Sequence, residues 1–203
     1  MSPYADLKDL AGACMGCTAC ALARGRTRVV PGEGSESARV MFIGEGPGYH
    51  EDQQGRPFVG PAGKLLDELI ASIGMKRADV YITNVVKCRP PGNRDPLPGE
   101  IEACRQWLDP QIQMLRPRVI VTLGRHSLAR FLPKDIISKV HGIPRNVGDH
   151  LVFPVHHPAA ALHQPSLRKT LEEDFKKIPG LLKASPVGAP QKDEEKPQQL
   201  SLF

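Results

Sequence analysis

Four short apolar runs rich in β-branched residues, each separated from the next by a stretch with helical spacing, confine this chain to an α/β architecture. The runs are residues 38–44 (Ala-Arg-Val-Met-Phe-Ile-Gly), 79–86 (Asp-Val-Tyr-Ile-Thr-Asn-Val-Val), 119–124 (Val-Ile-Val-Thr-Leu-Gly) and 151–155 (Leu-Val-Phe-Pro-Val). Each has the length and composition of a buried strand. Between the first two, Leu65, Leu66, Leu69, Ile70 and Ile73 recur at helical spacing over residues 61–74, with Gly74 placed as a C-cap. Between the second and third, residues 98–115 put Ile101, Leu108, Ile112 and Leu115 inward, and Pro110 is expected to kink or split that helix. Further helices are expected at 127–131 and 166–182. Strands alternating with helices make βαβ units, hence a parallel sheet covered on both faces. The expected fold is a three-layer α/β/α domain around a central, mainly parallel, four-stranded sheet.

The 203 residues suffice for one such domain with short extensions, and 40% hydrophobic content fills one core. Charge, Gly or Pro interrupts every apolar stretch before it reaches membrane-spanning length, and residues 1–6 lack the basic and apolar regions of a secretory signal. The expectation is a soluble, cytoplasmic, monomeric protein. The formal net charge is +5, and the segment from Lys183 onward is balanced, so the basic excess sits on residues 1–182. That balance suits a polyanionic partner. Residues 183–198, rich in Pro, Lys, Glu and Gln, read as a disordered linker.

Three constellations carry chemistry. Cys14, Cys17 and Cys20 repeat every third residue, and Cys88 and Cys104 follow. An odd number of cysteines without a secretory signal disfavours a disulfide framework and favours metal ligation. A C-x2-C turn with two distant cysteines can enclose a zinc ion or an iron–sulfur cubane, and spacing alone does not choose between them. After the first strand, Gly44-Glu45-Gly46-Pro47-Gly48 lets backbone N–H groups approach a ligand closely, with Glu51 and Asp52 beyond it. It lacks the Lys-Ser/Thr ending of a Walker loop, and Pro47 breaks the dinucleotide-binding pattern. After the fourth strand comes His156-His157-Pro158, where open α/β sheets bind ligands.

Taken together, Cys17-x2-Cys20, the run Arg26-Thr27-Arg28-Val29-Val30-Pro31-Gly32-Glu33-Gly34, the loop at 44–48, Gly55-Arg56-Pro57-Phe58-Val59-Gly60, Thr83-Asn84-Val85-Val86-Lys87-Cys88-Arg89-Pro90-Pro91 and His157-Pro158 resemble the family 4 uracil-DNA glycosylases, in the same order. The resemblance runs from about Cys17 to Leu182. It implies a DNA repair enzyme that hydrolyses the N-glycosidic bond of uracil in DNA and carries a 4Fe–4S cluster. The family's cluster ligands map onto Cys17, Cys20, Cys88 and Cys104, leaving Cys14 spare. Pairing Cys14 with Cys17 instead would put the pair three residues too far from Arg26.

The same resemblance implies the site. His157 corresponds to the histidine that donates to uracil O2, Asn84 to the amide that pairs with the uracil edge, and Phe58 to the ring that stacks on the extruded base. The backbone of Glu45 and Gly46 lines that pocket. Gly46 stands where the best-known members of the superfamily carry a water-positioning Asp, so that role falls to Glu51, with Asp52 second; Glu51 alternatively excludes thymine at the 5-position. Arg24, Arg26, Arg28, Lys87, Arg89 and Arg94 are candidate phosphate contacts. A catalytically silent DNA-binding module and a zinc-bearing nucleotide-binding protein are the competing classes. The last five residues, Gln199, Leu200, Ser201, Leu202 and Phe203, turn apolar again and resemble the Gln-Leu-Ser-Leu-Phe peptide by which bacterial repair and replication proteins bind the sliding clamp.

Overall fold

The computed structural model describes residues 3–162 and 164–183. The expectations for the linker beyond Lys183 and for the pentapeptide at 199–203 lie outside the described residues. In chain order the elements are α1 (Leu7–Met15), β1 (Glu33–Gly34), β2 (Val40–Gly44), α2 (Tyr49–Gln54), α3 (Pro61–Ser72), β3 (Tyr81–Asn84), α4 (Pro98–Leu115), β4 (Val119–Leu123), α5 (Arg125–Phe131), α6 (Ile137–Val140), β5 (Arg145–Val147), β6 (His150–Val155), α7 (Pro158–Ala161), α8 (Pro165–Phe175) and α9 (Ile178–Lys183). Among the described residues no helix is long and apolar enough to cross a membrane.

The sheet has six strands in the order β1-β3-β2-β4-β6-β5, not four. The four expected strands form its parallel centre, and β1 and β5 add short antiparallel edges. Those edges escape a search for buried runs because β1 has two residues and β5 is Arg145-Asn146-Val147, with nothing fully buried in either. Helix α4 is not split at Pro110: Trp107, Leu108, Gln111 and Ile112 are buried on both sides of it, and tertiary packing overrides the missing N–H. The closing helix, by contrast, breaks into α8 and α9 around Lys176 and Lys177. Pro179 has no N–H to donate to the carbonyl of Phe175, four residues back.

Strand side chains alternate between faces, and the two cores follow that period. Met41, Ile43, Tyr81 and Ile120 pack with Leu7 and Leu10 of α1 and with Trp107, Leu108 and Ile112 of α4. Val40, Phe42, Ile82 and Val121 pack on the other face with Leu65, Leu66 and Leu69 of α3 and with Leu171 and Phe175 of α8. Phe42 and Phe175 stack at 5.7 Å. Truncating either ring would cost about 3–5 kcal/mol. This α/β/α sandwich presents the carboxyl ends of β2, β3 and β6 along one edge, where the loops after them meet.

Candidate active site

Gly44 ends β2 opposite Asn84, which ends β3. A Cβ at Gly44 would lie 2.4 Å from Asn84 Oδ1 and 2.6 Å from the Phe58 ring. Only glycine there lets the amide and the ring converge. Asn84 is 1% exposed, and its Oδ1 has no hydrogen-bond partner. A buried acceptor left empty costs about 1–3 kcal/mol, so it signals a ligand donor. The cleft in front of it is lined by Glu45, Gly46, Pro47, Gly48, Glu51, Phe58, Asn84, Pro90, Asn93, Arg94, Asp95 and His157. All six site residues expected from the sequence (Glu45, Gly46, Glu51, Phe58, Asn84 and His157) thus share one cleft.

Phe58 adopts φ 50°, the left-handed region that a bulky residue rarely enters. Arg77 holds it there: Nη1 donates to the Phe58 carbonyl at 3.2 Å and Nη2 donates to the Pro57 carbonyl. The guanidinium is itself fixed by Glu33 through Nε at 2.9 Å and by Asp67 at 2.8 Å. Helix α3 presses against the same turn through Gly63, whose absent Cβ would fall 1.9 Å from the Phe58 oxygen. The Phe58 ring lies 5.7 Å from the His157 ring at 30°.

His157 is the N-cap of α7, and its Nδ1 accepts from the Ala159 N–H at 3.1 Å. With Nδ1 as acceptor, the neutral ring carries its proton on Nε2. Burial pushes the His157 pKa down to about 4, against the opposing charge of Glu51. The ring is a neutral Nε2–H donor at physiological pH. Glu51 Oε1 accepts from the Val59 and Gly60 N–H groups at 2.8 and 2.9 Å, and Oε2 from Gly48 at 3.1 Å. This carboxylate therefore ties the glycine loop to the Phe58 turn. Asp52 does not line the cleft; its Oδ1 accepts from the Thr27 and Arg28 N–H groups. At the mouth, His126 lies 3.3 Å from Asp95 and 3.7 Å from Glu45. Burial, with Asp95 adding to it, raises the Glu45 carboxyl, opposed by His126 and Arg125.

The buried, unpartnered Oδ1 of Asn84 calls for an N–H donor on whatever ligand enters the cleft. The sequence profile of the Uracil DNA glycosylase superfamily matches residues 31–178. The chain is 54% identical to a type-4 uracil-DNA glycosylase of Sulfurisphaera tokodaii over 172 residues, covering 80% of this chain and 78% of that protein. It is 49% identical to the type-4 uracil-DNA glycosylase of Thermotoga maritima over 172 residues, covering 82% of this chain and 90% of that one. A type-5 uracil-DNA glycosylase of Thermus thermophilus is 37% identical over 64% of this chain and 68% of its own length. The chain belongs to the type-4 uracil-DNA glycosylase family.

In this member of the type-4 family none of the five cysteines is in a disulfide, and all five line a second hollow. Cys14, Cys17, Cys20, Cys88 and Cys104 share it with apolar walls from Leu22, Val29 and Trp107. Three N–H groups point at sulfur: Arg26 Nη1 to Cys88 at 3.3 Å, the Lys87 backbone to Cys104 at 3.2 Å, and Trp107 Nε1 to Cys17 at 3.2 Å. Such donors match thiolates bound to metal, whose charge they offset. Burial pushes the Cys104 thiol up to about 11 and the Cys14 thiol up to about 12, in both cases against Lys87. A bound cation is what converts thiols of this kind into ligands. The donor set thus fits a soft-metal centre.

One expected phosphate contact is corrected. Lys87 is 1% exposed, and its Nζ donates to Thr83 Oγ1 at 2.6 Å, the Asn84 carbonyl at 2.7 Å and Gln111 Oε1 at 2.7 Å. It braces the strand end that carries Asn84 and cannot reach DNA. Arg26 is spent on Cys88, and Arg94 forms a bidentate pair with Glu100 at 2.6 and 2.9 Å. Residues that sequence reasoning missed include Arg77, Asp95 and His126. Arg77 stands in an exposed-looking Lys-Arg-Ala-Asp stretch, and only the fold brings it under Phe58.

Proposed function

We propose that this chain is a DNA repair glycosylase that hydrolyses the N-glycosidic bond of uracil in DNA, releasing free uracil and leaving an abasic site. The observation that carries the reading is the empty, buried Oδ1 of Asn84 beside the Phe58 ring and a neutral His157. Uracil offers N3–H to Oδ1, and its O4 takes the amide Nδ2. An extruded base stacks on Phe58. Breaking the bond sends its electron pair into the uracil ring, and His157 Nε2–H donates to O2 as charge builds there. A neutral donor fixed before the reaction begins stabilises that charge without reorganising. The sugar becomes oxocarbenium-like and is captured by water, whose proton passes through Glu51 or solvent to the departing uracil anion, so that the products are neutral uracil and an abasic sugar.

Glu51 uses three of its carboxylate lone pairs on backbone N–H groups, and the remaining one on Oε2 is available to hold that water. No Asp can take over at position 46 without moving Val86, whose Cγ2 lies 2.7 Å from where a Cβ would stand.

Cys17, Cys20, Cys88 and Cys104 would hold a 4Fe–4S cluster, with Cys14 spare. Bound there, the cluster would tie the N-terminal segment covalently to the loop after β3 through Cys88 and to α4 through Cys104. The N–H groups of Arg26, Lys87 and Trp107 that point at Cys88, Cys104 and Cys17 would offset the charge of those ligands. The pentapeptide at 199–203 adds a sliding-clamp contact, in which Leu200, Leu202 and Phe203 enter an apolar groove and Gln199 gives a polar anchor. Tethering of this kind raises local concentration without new catalytic contacts.

The test is the product. Wild-type protein incubated with an oligonucleotide holding one deoxyuridine should release free uracil and leave an alkali-labile site, while thymine at the same position should stay attached. Strand and base both intact after exhaustive incubation would refute the reading.

A further inference from the structure

The cations near the cleft are not equivalent once their partners are known. Lys87 is buried, Arg26 is engaged with Cys88, and Arg94 is neutralised by Glu100. Arg24 and Arg28 are exposed, and their side chains carry no partner among the described residues that would orient them. Arg89 differs from all of these. Its guanidinium carbon sits 5.2 Å above the centroid of the Tyr49 ring, and its Nε donates to Asn93 Oδ1 at 2.7 Å.

This mounting fixes the plane of the guanidinium at both its face and its edge. Its two terminal nitrogens have no protein partner among the described residues, so the fork that grips oxyanions is left open. Tyr49 is 54% exposed, a ring kept at the surface rather than in the core, and His50 meets it edge-on at 5.6 Å. Gly48, next to Tyr49, and Pro90 and Asn93, next to and bonded to Arg89, all line the cleft. The pair therefore stands at the cleft's rim, one residue outside its wall.

We propose that Arg89, mounted on Tyr49 and held by Asn93, is a phosphate clamp that grips the DNA backbone beside the nucleotide entering the cleft. The inference rests on the glycosylase reading for the identity of the strand, and on geometry alone for the anion. A pre-set planar fork loses less entropy on meeting a phosphate than a free lysine does, and it offers two parallel N–H bonds. The ring beneath supplies cation–π attraction and keeps the fork from folding back.

The experiment measures binding of a uracil-containing oligonucleotide by the full-length holoprotein as a function of salt. Arg89→Ala should bind roughly tenfold more weakly, and its slope of log affinity against log salt should be shallower by about one. Arg89→Lys should keep the slope and lose part of the affinity, because charge remains without the fork. Tyr49→Leu should weaken binding with the slope unchanged. A second arm needs no variant: neutral methylphosphonates replace the phosphates flanking deoxyuridine one at a time. One of these positions should lower wild-type affinity to the Arg89→Ala level and leave Arg89→Ala indifferent. Equal salt slopes for wild type and Arg89→Ala, or a wild type insensitive to every flanking methylphosphonate, would overturn the clamp. Uracil release by wild type on the same oligonucleotide separates the two ideas. Its absence would sink the glycosylase reading, while slope and substitution scan would still decide the clamp.

Discussion

Arg77 Nη1 donates to the carbonyl oxygen of Phe58 at 3.2 Å, across nineteen positions of sequence, and so a charged residue outside the cleft sets the backbone of the ring inside it. A bulky residue in the left-handed region costs of order 1–3 kcal/mol and persists only where its surroundings impose it. Here they are the Arg77 fork and the Gly63 contact of α3.

Removing the fork should release that strain in the wrong direction. Arg77→Met is expected to lose about 2 kcal/mol of stability and most of its uracil release, as the Phe58 turn relaxes away from the cleft. Arg77→Lys keeps the charge but cannot serve both carbonyls, so its activity should follow Arg77→Met. Wild-type rates in Arg77→Lys would contradict this account of Phe58.

The pH dependence follows from His157. Its pKa is depressed from 6.5 to about 4 by burial, so between these values the unfolded chain binds a proton that the folded one does not. Its contribution to stability is present above pH 6.5 and lost as pH falls through about 4, a change of about 3 kcal/mol. Denaturant midpoints should therefore decline from pH 6.5 downward, and His157→Gln should flatten that decline. Because the neutral donor survives to low pH, kcat/KM for wild type should show no acidic limb near 6.5 from this residue. A limb at 6.5 that vanishes in His157→Gln would contradict the neutral-donor assignment.

Much of the fold could be read from the order of residues, and the reason is physical. Residues 40–43 and 119–121 are buried on both faces and so are apolar throughout, which makes a parallel strand visible without context. Gly44, Asn84 and His157 stand at strand ends, and those positions converge in an open α/β sheet. Helix α1 is the exception: Asp6 caps it, its Oδ1 accepting from the Asp9 N–H at 2.7 Å, and Leu7, Leu10 and Cys14 form its buried face, but these residues span too few turns to stand out as a helical period. The roles of Arg77 and Lys87 had no signal to find, and Arg89 stood among six candidate phosphate contacts with nothing in the sequence to single it out. Arginines and lysines are scattered along this chain, and which one is buried, paired or left with an open fork depends on contacts between residues far apart in sequence.

The ligand assignment predicts a difference in colour. Cys20→Ala, like the same change at Cys17, Cys88 or Cys104, should give poorly soluble protein bleached of its visible absorption. Cys14→Ala should stay brown and release uracil normally. Bleaching in Cys14→Ala with colour retained in Cys20→Ala would reverse the assignment.

The pentapeptide predicts a separable contact. Deleting residues 199–203 should abolish binding to a bacterial sliding clamp, read by surface-immobilised clamp, and leave uracil release from short oligonucleotides unchanged. The interaction should be modest in strength, since ordering a short peptide offsets part of its contact energy. Undiminished clamp binding by the truncated chain would rule out this segment as the clamp ligand.

The central claim is that the vacant Oδ1 of Asn84 exists to read uracil in the cleft. The direct measurement is single-turnover uracil release by wild type and Asn84→Ala, with DNA binding measured in parallel. The account predicts a rate lower by roughly 10²–10³ in the variant, with affinity for the strand nearly retained, because the amide contributes mainly once the base is extruded and charge develops. Release by Asn84→Ala at the wild-type rate would contradict it.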